Sequence, residues 1–386
     1  MRKQRSDREV KYVGFYDVLR GGRQIRSYSL AAAKKMDFIC DMILSCGKDA
    51  CIISPSHINV RGKARYKETD EYIRPGVRLC LPPSCEANNK IKRIARVLRA
   101  RLWLFNKLIS ETKKGDKVIV YHNYELAVPL LLARFIRRFE IVLEVEEIYA
   151  QVWEISGYKK WKERLLLKYT NDNSLIVSEV LREKLGVTEG IISYGSYSAY
   201  EGTIRRRDFS GTVKLVFSGL VDRERGSGFM AVQCMEYLPE NYVLYVCGPI
   251  ASKDKEAFLS EVARVNRALG REACKYCGVL DDNDYEKLLT SSDIALNPQI
   301  EGKFGDYVFP SKILTYMSYG LPVVSTKGQS IVKSGLGDII TFADDYTPRS
   351  VAEAILTIHE DISDREAERL SALKSRFRDQ FARVCE

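Results

Sequence analysis

Two stretches place a cation beside a turn residue where a helix would begin. One is Pro310-Ser311-Lys312, ahead of Ile313, Leu314, Tyr316 and Met317 at helical spacing. Pro310 suits the opening of a helix, because the N–H it lacks would be unpaired there anyway. Gly320 suits its close in a left-handed turn. Ser311 and Lys312 then lie in the first turn, where open N–H groups and the positive end of the dipole favour an anion. The other stretch is Arg225-Gly226, before the helix predicted over 227–237. Both are patterns for holding an anion. The competing reading of each is a plain helix–strand unit with a solvated cation.

The first half offers a different kind of candidate. His122 follows the strand predicted over 115–121, and Glu146 follows the one over 139–145. Open α/β sheets bind ligands at the carboxyl ends of their strands, so both residues stand where chemistry can happen. A glutamate there can position or deprotonate a hydroxyl. For each, a polar residue in a solvent-facing loop is the alternative. Gly21 and Gly22 follow the first predicted strand, 9–17, and would let a backbone approach a ligand closely. No GxGxxG stands there, so a dinucleotide fingerprint is absent.

These residues need a scaffold of alternating elements, and the chain supplies one. Predicted strands at 9–17, 50–54, 77–82, 115–121, 139–145, 172–178 and 190–195 alternate with helices, after which 196–210 is polar and reads as a linker. The pattern resumes with strands at 213–218, 243–248, 274–279, 293–296, 321–325 and 338–341, and ends in helices at 350–360 and 364–383. Alternation in both halves predicts two doubly wound parallel α/β domains. Residues 55–71 are polar and irregular and read as a surface loop.

Composition narrows the function class. An apolar content of 45% with 29% charged residues in 386 describes a soluble globular chain. No apolar run reaches the ~18–20 residues of a membrane helix. The opening MRKQRSDREV lacks the apolar core of a signal peptide, so the cytoplasm is the expected compartment. The ten cysteines hold one CxxC, Cys274 to Cys277, without the second pair a zinc ribbon needs, and there are three histidines. No metal is expected. Asp281-Asp282-Asn283-Asp284 reads as a helix cap rather than a metal site.

Charge is uneven. Residues 1–200 carry 37 Lys and Arg against 23 Asp and Glu, whereas 201–386 carry 24 against 28. A basic half suggests an anionic partner. Much of that charge lies on the basic amphipathic helix predicted over 88–113, with 89–113 as the candidate membrane contact. The helix reads either as packed with a solvated basic face or as lying on an anionic membrane surface. Without a nucleic-acid motif beside the charge, nucleic acid is not the expected partner.

The stretch 309–326, FPSKILTYMSYGLPVVST, also resembles the donor-site segment of glycosyltransferase family 4, the retaining GT-B enzymes that use nucleotide sugars. Pro310, Ser311, Lys312, Tyr316, Met317, Gly320, Pro322, Val323 and Val324 fall in register with that segment. Gly219 to Gly226 resembles the family's Gly-Arg-Leu…Lys-Gly segment, with Arg225 at the lysine position. Three positions depart: Leu220 replaces the family arginine, and Tyr307 and Thr315 replace its two glutamates. Where family 4 has His-Asp, this chain has Glu146-Glu147, so the position carries over and the role stays open.

The resemblance implies a GT-B fold, two Rossmann-like domains facing a cleft. Residues 1–200 would bind acceptor and 201–365 the nucleotide sugar, with 366–386 a helix crossing back to the first domain. It implies transfer of a sugar, with retention, from a nucleotide-diphosphate sugar to an acceptor hydroxyl in polysaccharide or glycolipid assembly. The expected catalytic residues are Glu146 and His122. Donor contacts are expected from Gly21, Gly22, Arg225, Gly226, Ser311, Lys312 and Thr315. The expected donor is a UDP-sugar and the acceptor a glycan or lipid-linked hydroxyl, with no cofactor. A location at the inner face of the membrane would follow. The alternative is a weak or inactive GT-B-like subunit that binds a sugar nucleotide or partners an active transferase.

Overall fold

The structure, a computed structural model, describes residues 9–18, 25–58, 65–302 and 306–386. The chain divides into two compact units, 1–177 with 182–193 and 377–386, and 178–181 with 194–376. The boundary expected at 200 therefore falls at 193. Of the last helix, Ser363–Cys385, the residues from 377 on belong to the first unit and those before to the second.

The strands of the first unit are, in chain order, β1 (Glu9–Val13), β2 (Asp49–Ile53), β3 (Arg65–Tyr66), β4 (Thr69–Arg74), β5 (Val77–Leu81), β6 (Ser84–Cys85), β7 (Lys117–Tyr121), β8 (Glu140–Val145), β9 (Leu175–Ile176) and β10 (Ile191–Ile192). Eight of them form one sheet in the order β10-β9-β8-β7-β1-β2-β5-β4. All pairs are parallel except β4 with β5. Tyr12, Val13, Ile52, Ile53, Val120 and Leu143 on its central strands are wholly buried. Near-continuous apolar strands are what a parallel sheet covered on both faces requires.

The loop expected over 55–71 instead contains β3 and the first half of β4. Pro75-Gly76, with Gly76 at φ +72°, turns the chain back so that β4 pairs antiparallel with β5 at the sheet edge. TDEYIR is polar because an edge strand facing water has little to bury.

The second unit holds β11 (Val213–Ser218), β12 (Tyr242–Cys247), β13 (Cys274–Tyr276), β14 (Ile294–Asn297), β15 (Val323–Ser325) and β16 (Thr341–Phe342), all parallel, in the order β13-β12-β11-β14-β15-β16. Chain order reverses between β11 and β14 here, and between β1 and β7 in the first unit. Such reversal points open a crevice at the carboxyl ends of the strands, where doubly wound sheets bind ligands.

The predicted basic helix is Lys90–Glu111, capped by Asn89, whose side chain accepts from Lys92 N at 2.8 Å. It buries only Ala100, Leu104 and Leu108, one stripe of side chains at every fourth residue. The helix Ala127–Arg137 packs beside it, and Gly157–Leu167 packs beside that.

Candidate active site

In the second unit the strand ends β11 and β12 both run into glycine. Gly219 has φ +142° and Gly248 φ +125°, conformations that side-chain-bearing residues avoid. A Cβ on Gly248 would stand 2.2 Å from Gly219 O, so two backbones meet where no side chain fits. Ser218, the last residue of β11, donates its N–H to Tyr316 Oη at 2.7 Å, and its Oγ lies 2.9 Å from Tyr285 Oη. These bonds fix the floor of a turn that runs to Arg225. There Asp222 accepts from Arg225 N at 2.7 Å and from Arg225 Nη1 at 2.6 Å. Gly226, at φ +66°, begins the helix Ser227–Gln233.

Lys312 approaches this turn from the helix Lys312–Ser318. Its Nζ stands 4.1 Å from the centre of the Phe217 ring and 3.8 Å from where a Gly219 Cβ would be. Among the described residues it has no ion-pair partner. Burial pushes its pKa down to about 7, and the Arg225 guanidinium adds to that fall. Two cations and a glycine turn thus converge at the reversal point, with Asp222 the carboxylate that partly offsets them. An anion there would relieve the repulsion between them.

The sequence assigned part of the anion's stabilisation to helix N-termini at Gly226 and Ser311. Both helices have only seven residues. Ser311 makes no side-chain cap bond. The side-chain charges of Lys312 and Arg225 therefore carry more weight than the dipoles. Thr315 lies one turn beyond Ser311, partly exposed. Gly21 and Gly22 lie outside the described residues.

Two polar residues here escaped the sequence reading. Asn297 ends β14 and donates from Nδ2 to Ser325 Oγ at 2.9 Å. Asn297 Oδ1 and Gln299 Oε1 are buried with no hydrogen-bond partner among the described residues. Polar side chains at the end of a strand, Asn297-Pro298-Gln299, were the available signal. Gly248 also had one, since both Ser218-Gly219 and Cys247-Gly248 close apolar strands.

In the first unit, His122 and Glu146 do end neighbouring strands β7 and β8, but their surroundings differ. His122 is 1% exposed. Its Nε2 is 3.8 Å from Glu163 Oε1, and among the described residues neither ring nitrogen closes a hydrogen bond. Burial pushes it down to about 4, against a weaker opposite pull from the Glu147 backbone, so it is neutral at pH 7. Glu163 is itself occupied, accepting from Tyr149 N at 2.6 Å and Ala150 N at 2.9 Å. This enclosure suits a packed imidazole better than a proton donor.

Glu146 keeps an exposed edge and is held by Lys35, whose Nζ lies 3.1 Å from Glu146 Oε1 and 3.9 Å from Glu144 Oε1. Lys35 also donates to Ser193 O at 2.6 Å, and Tyr12 Oη donates to Glu144. Burial raises Glu144 to about 7, against the pull of Lys35. No bond joins His122 to Glu146 among the described residues. Lys35 was not singled out from sequence, because Ala31 to Lys35 reads as any helix.

Among the described residues no cluster of three His, Cys, Asp or Glu side chains is arranged to hold a metal ion. Asp281 accepts from Asp284 N at 2.9 Å and caps the helix Asp282–Ser291.

Solved structures place this architecture. A sucrose-phosphate synthase from Thermosynechococcus elongatus matches with TM-score 0.67 at 11% identity, covering 98% of each chain. An E. coli trehalose-6-phosphate structure bound with UDP-2-fluoro glucose matches with TM-score 0.66 at 11% identity, covering 98% of this chain and 99% of that one. Anabaena HepE in complex with UDP and glucose matches with TM-score 0.59 at 13% identity, covering 96% of this chain and 95% of that one. The fold is GT-B, the class of glycosyltransferases built from Rossmann-like domains. More particularly, residues 212–361, within the second unit, match the model of the family Glycosyl transferases group 1. No curated protein matches the chain in sequence.

Proposed function

We propose that the protein transfers a sugar from a UDP-sugar to an acceptor hydroxyl, with retention and without a metal ion. The observation that carries this reading is the convergence of Lys312 and Arg225 on the turn Gly219 to Gly226. A departing diphosphate places negative charge where these cations stand, and fixed cations in a partly dry site stabilise such charge strongly. UDP as the donor's nucleotide draws support from HepE, which is in complex with UDP and glucose, and from the E. coli structure with UDP-2-fluoro glucose.

Glu146, rather than the enclosed His122, is the residue we assign to the acceptor hydroxyl. Ser311 and Thr315 flank the donor's nucleotide on the helix that carries Lys312. The acceptor is a glycan or lipid-linked hydroxyl in cell-surface polysaccharide or glycolipid assembly, at the cytoplasmic face of an anionic membrane. Three neighbouring helices support that location. Ile91, Leu98 and Leu102 on one, Leu132 and Phe135 on the next and Trp161 on the third are exposed large apolar residues. Lys90, Lys92, Arg93 and Arg99 lie among the first of them. Helices with apolar side chains and Lys or Arg outward suit an interface between headgroups and acyl chains.

The test is a thermal-shift panel of nucleoside diphosphates, with and without EDTA, on wild type and Lys312→Ala. A ligand of the folded state raises apparent stability by RT ln(1 + [L]/Kd). Stabilisation by UDP that ignores EDTA and vanishes in the variant supports the reading. No stabilisation by any diphosphate would sink it, leaving a subunit that partners an active transferase.

A further inference from the structure

The first unit contains a cavity of about 230 Å3 that none of the candidate site residues among the described ones lines. Phe15, His57 and Leu126 contribute to its wall from the loops that follow β1, β2 and β7, and Val97, Ala100 and Leu104 from the helix Lys90–Glu111. It therefore lies at the carboxyl ends of adjacent strands, at the point where the sheet order reverses, which is where a doubly wound sheet receives a ligand. The lining is mostly apolar. An apolar cavity of about 150 Å3 admits benzene, so this one has room for about one or two prenyl units.

Its polar edge is positive. Arg101 and Glu125, both in the wall, form an ion pair, and Lys162 Nζ also reaches Glu125 at 3.1 Å, so the one wall carboxylate among the described residues faces two cations. Burial, with Arg96, Arg26 and Arg101 nearby, pushes His57 down to about 4, so its imidazole is uncharged at pH 7. Arg96 Nε is buried with no hydrogen-bond partner among the described residues. The same helix turns Ile91, Ile94, Leu98 and Leu102 outward. One helix thus presents an apolar stripe to the outside and an apolar wall to the cavity, with arginines between.

We propose that this cavity seats the phosphate-proximal end of the hydrocarbon chain of a lipid-phosphate-linked acceptor, whose headgroup carries the accepting hydroxyl, with Arg96 and Arg101 holding the phosphate. The proposal rests on the transferase reading for the word acceptor and on the cavity alone for lipid binding. A free sugar or glycan would leave the apolar wall unmatched. A neutral lipid would leave Arg96 without an anionic partner among the described residues.

The experiment titrates farnesyl phosphate, below its micelle threshold, into wild type, Ala100→Trp and Leu104→Trp by calorimetry. Farnesol and inorganic phosphate are the separate arms, and the UDP thermal shift is recorded for each protein. The expected result is binding of farnesyl phosphate, at least about tenfold weaker binding of either arm, and at least about tenfold loss in the Trp variants with the UDP shift intact. No binding to wild type, or equal binding to both variants, overturns the proposal. If neither variant keeps its UDP shift, a diazirine-bearing farnesyl phosphate is photo-crosslinked to wild type instead. Label within 97–104 or at Leu126 supports the site, and label elsewhere overturns it. Failure of UDP to bind wild type removes the transferase reading and leaves the lipid site to its own result.

Discussion

Lys35 Nζ lies 3.1 Å from Glu146 Oε1 and 3.9 Å from Glu144 Oε1, one ammonium between two carboxylates at the end of β8. Removing one partner of a buried ion pair costs about 3–5 kcal/mol, because the other charge stays buried. Lys35→Met is expected to lower unfolding stability by that order in denaturant titrations. Glu146→Gln is expected to fold and bind UDP as wild type does, with transfer reduced by about 10²–10⁴-fold. Transfer that survives the glutamine excludes Glu146 as the acceptor's base.

Nucleotide affinity should depend on pH through Lys312. Its folded pKa, about 7, lies below the ordinary lysine value, so the unfolded chain binds that proton more tightly. The empty protein therefore gains stability from this group as pH rises from about 7 towards the unfolded value. A bound diphosphate favours the charged form and reverses the preference. UDP affinity should thus be level below about pH 7 and fall above it by up to about tenfold per unit. Calorimetry from about pH 6 to about pH 9 checks this, and Lys312→Arg, which stays charged, should flatten the slope.

Gly248→Ala should be costly out of proportion to one methyl group. The new Cβ would stand 2.2 Å from Gly219 O, and the residue's φ of +125° is itself unfavourable for alanine. Such strain amounts to about 1–3 kcal/mol. The expected readout is a lower melting temperature together with weakened UDP binding, since Gly219 must move. An unchanged UDP shift would detach this glycine pair from the donor turn.

Tyr316→Phe tests the floor of the same turn. Tyr316 is wholly buried, and its Oη accepts from Ser218 N at 2.7 Å. Phenylalanine keeps the packing and leaves a buried N–H unpaired, at about 1–3 kcal/mol. Chemical denaturation measures the loss.

The membrane face predicts flotation with anionic vesicles that weakens with salt. The combined change Ile94→Ser, Leu98→Ser and Leu102→Ser should abolish it, each removing about 1.5–3 kcal/mol of apolar burial if its side chain inserts fully. All three are more than half exposed, so folding should survive. Vesicle binding that persists in the triple variant would move the contact elsewhere.

Local signals in the sequence were strong where one residue type has one use. Pro310, Lys312 and Gly320 marked a helix that the structure draws as Lys312–Ser318, with Gly320 at φ +64°. Asp281 caps its helix, as the acidic cluster at 281–284 was read to do. The edge strand Thr69–Arg74 was not legible, because a polar strand and a polar loop share a composition until a partner strand is known. Lys35 was not legible either: a lysine in an alanine-rich helix turn reads as solvated, and only β8 beside it supplies two carboxylates.

By itself the sequence determined the alternation of strands and helices, the glycine turn that follows β11, and the cations Arg225 and Lys312 near it. Those follow from periodicity, backbone permission and charge, all properties of neighbours along the chain. The tertiary structure decided what each polar group faces. It enclosed His122, tied Glu146 to Lys35, brought Lys312 to within 4.1 Å of the Phe217 ring centre and hollowed a cavity behind Ala100. Burial and proximity between residues far apart in the chain set protonation and reach, and neither is written in local spacing.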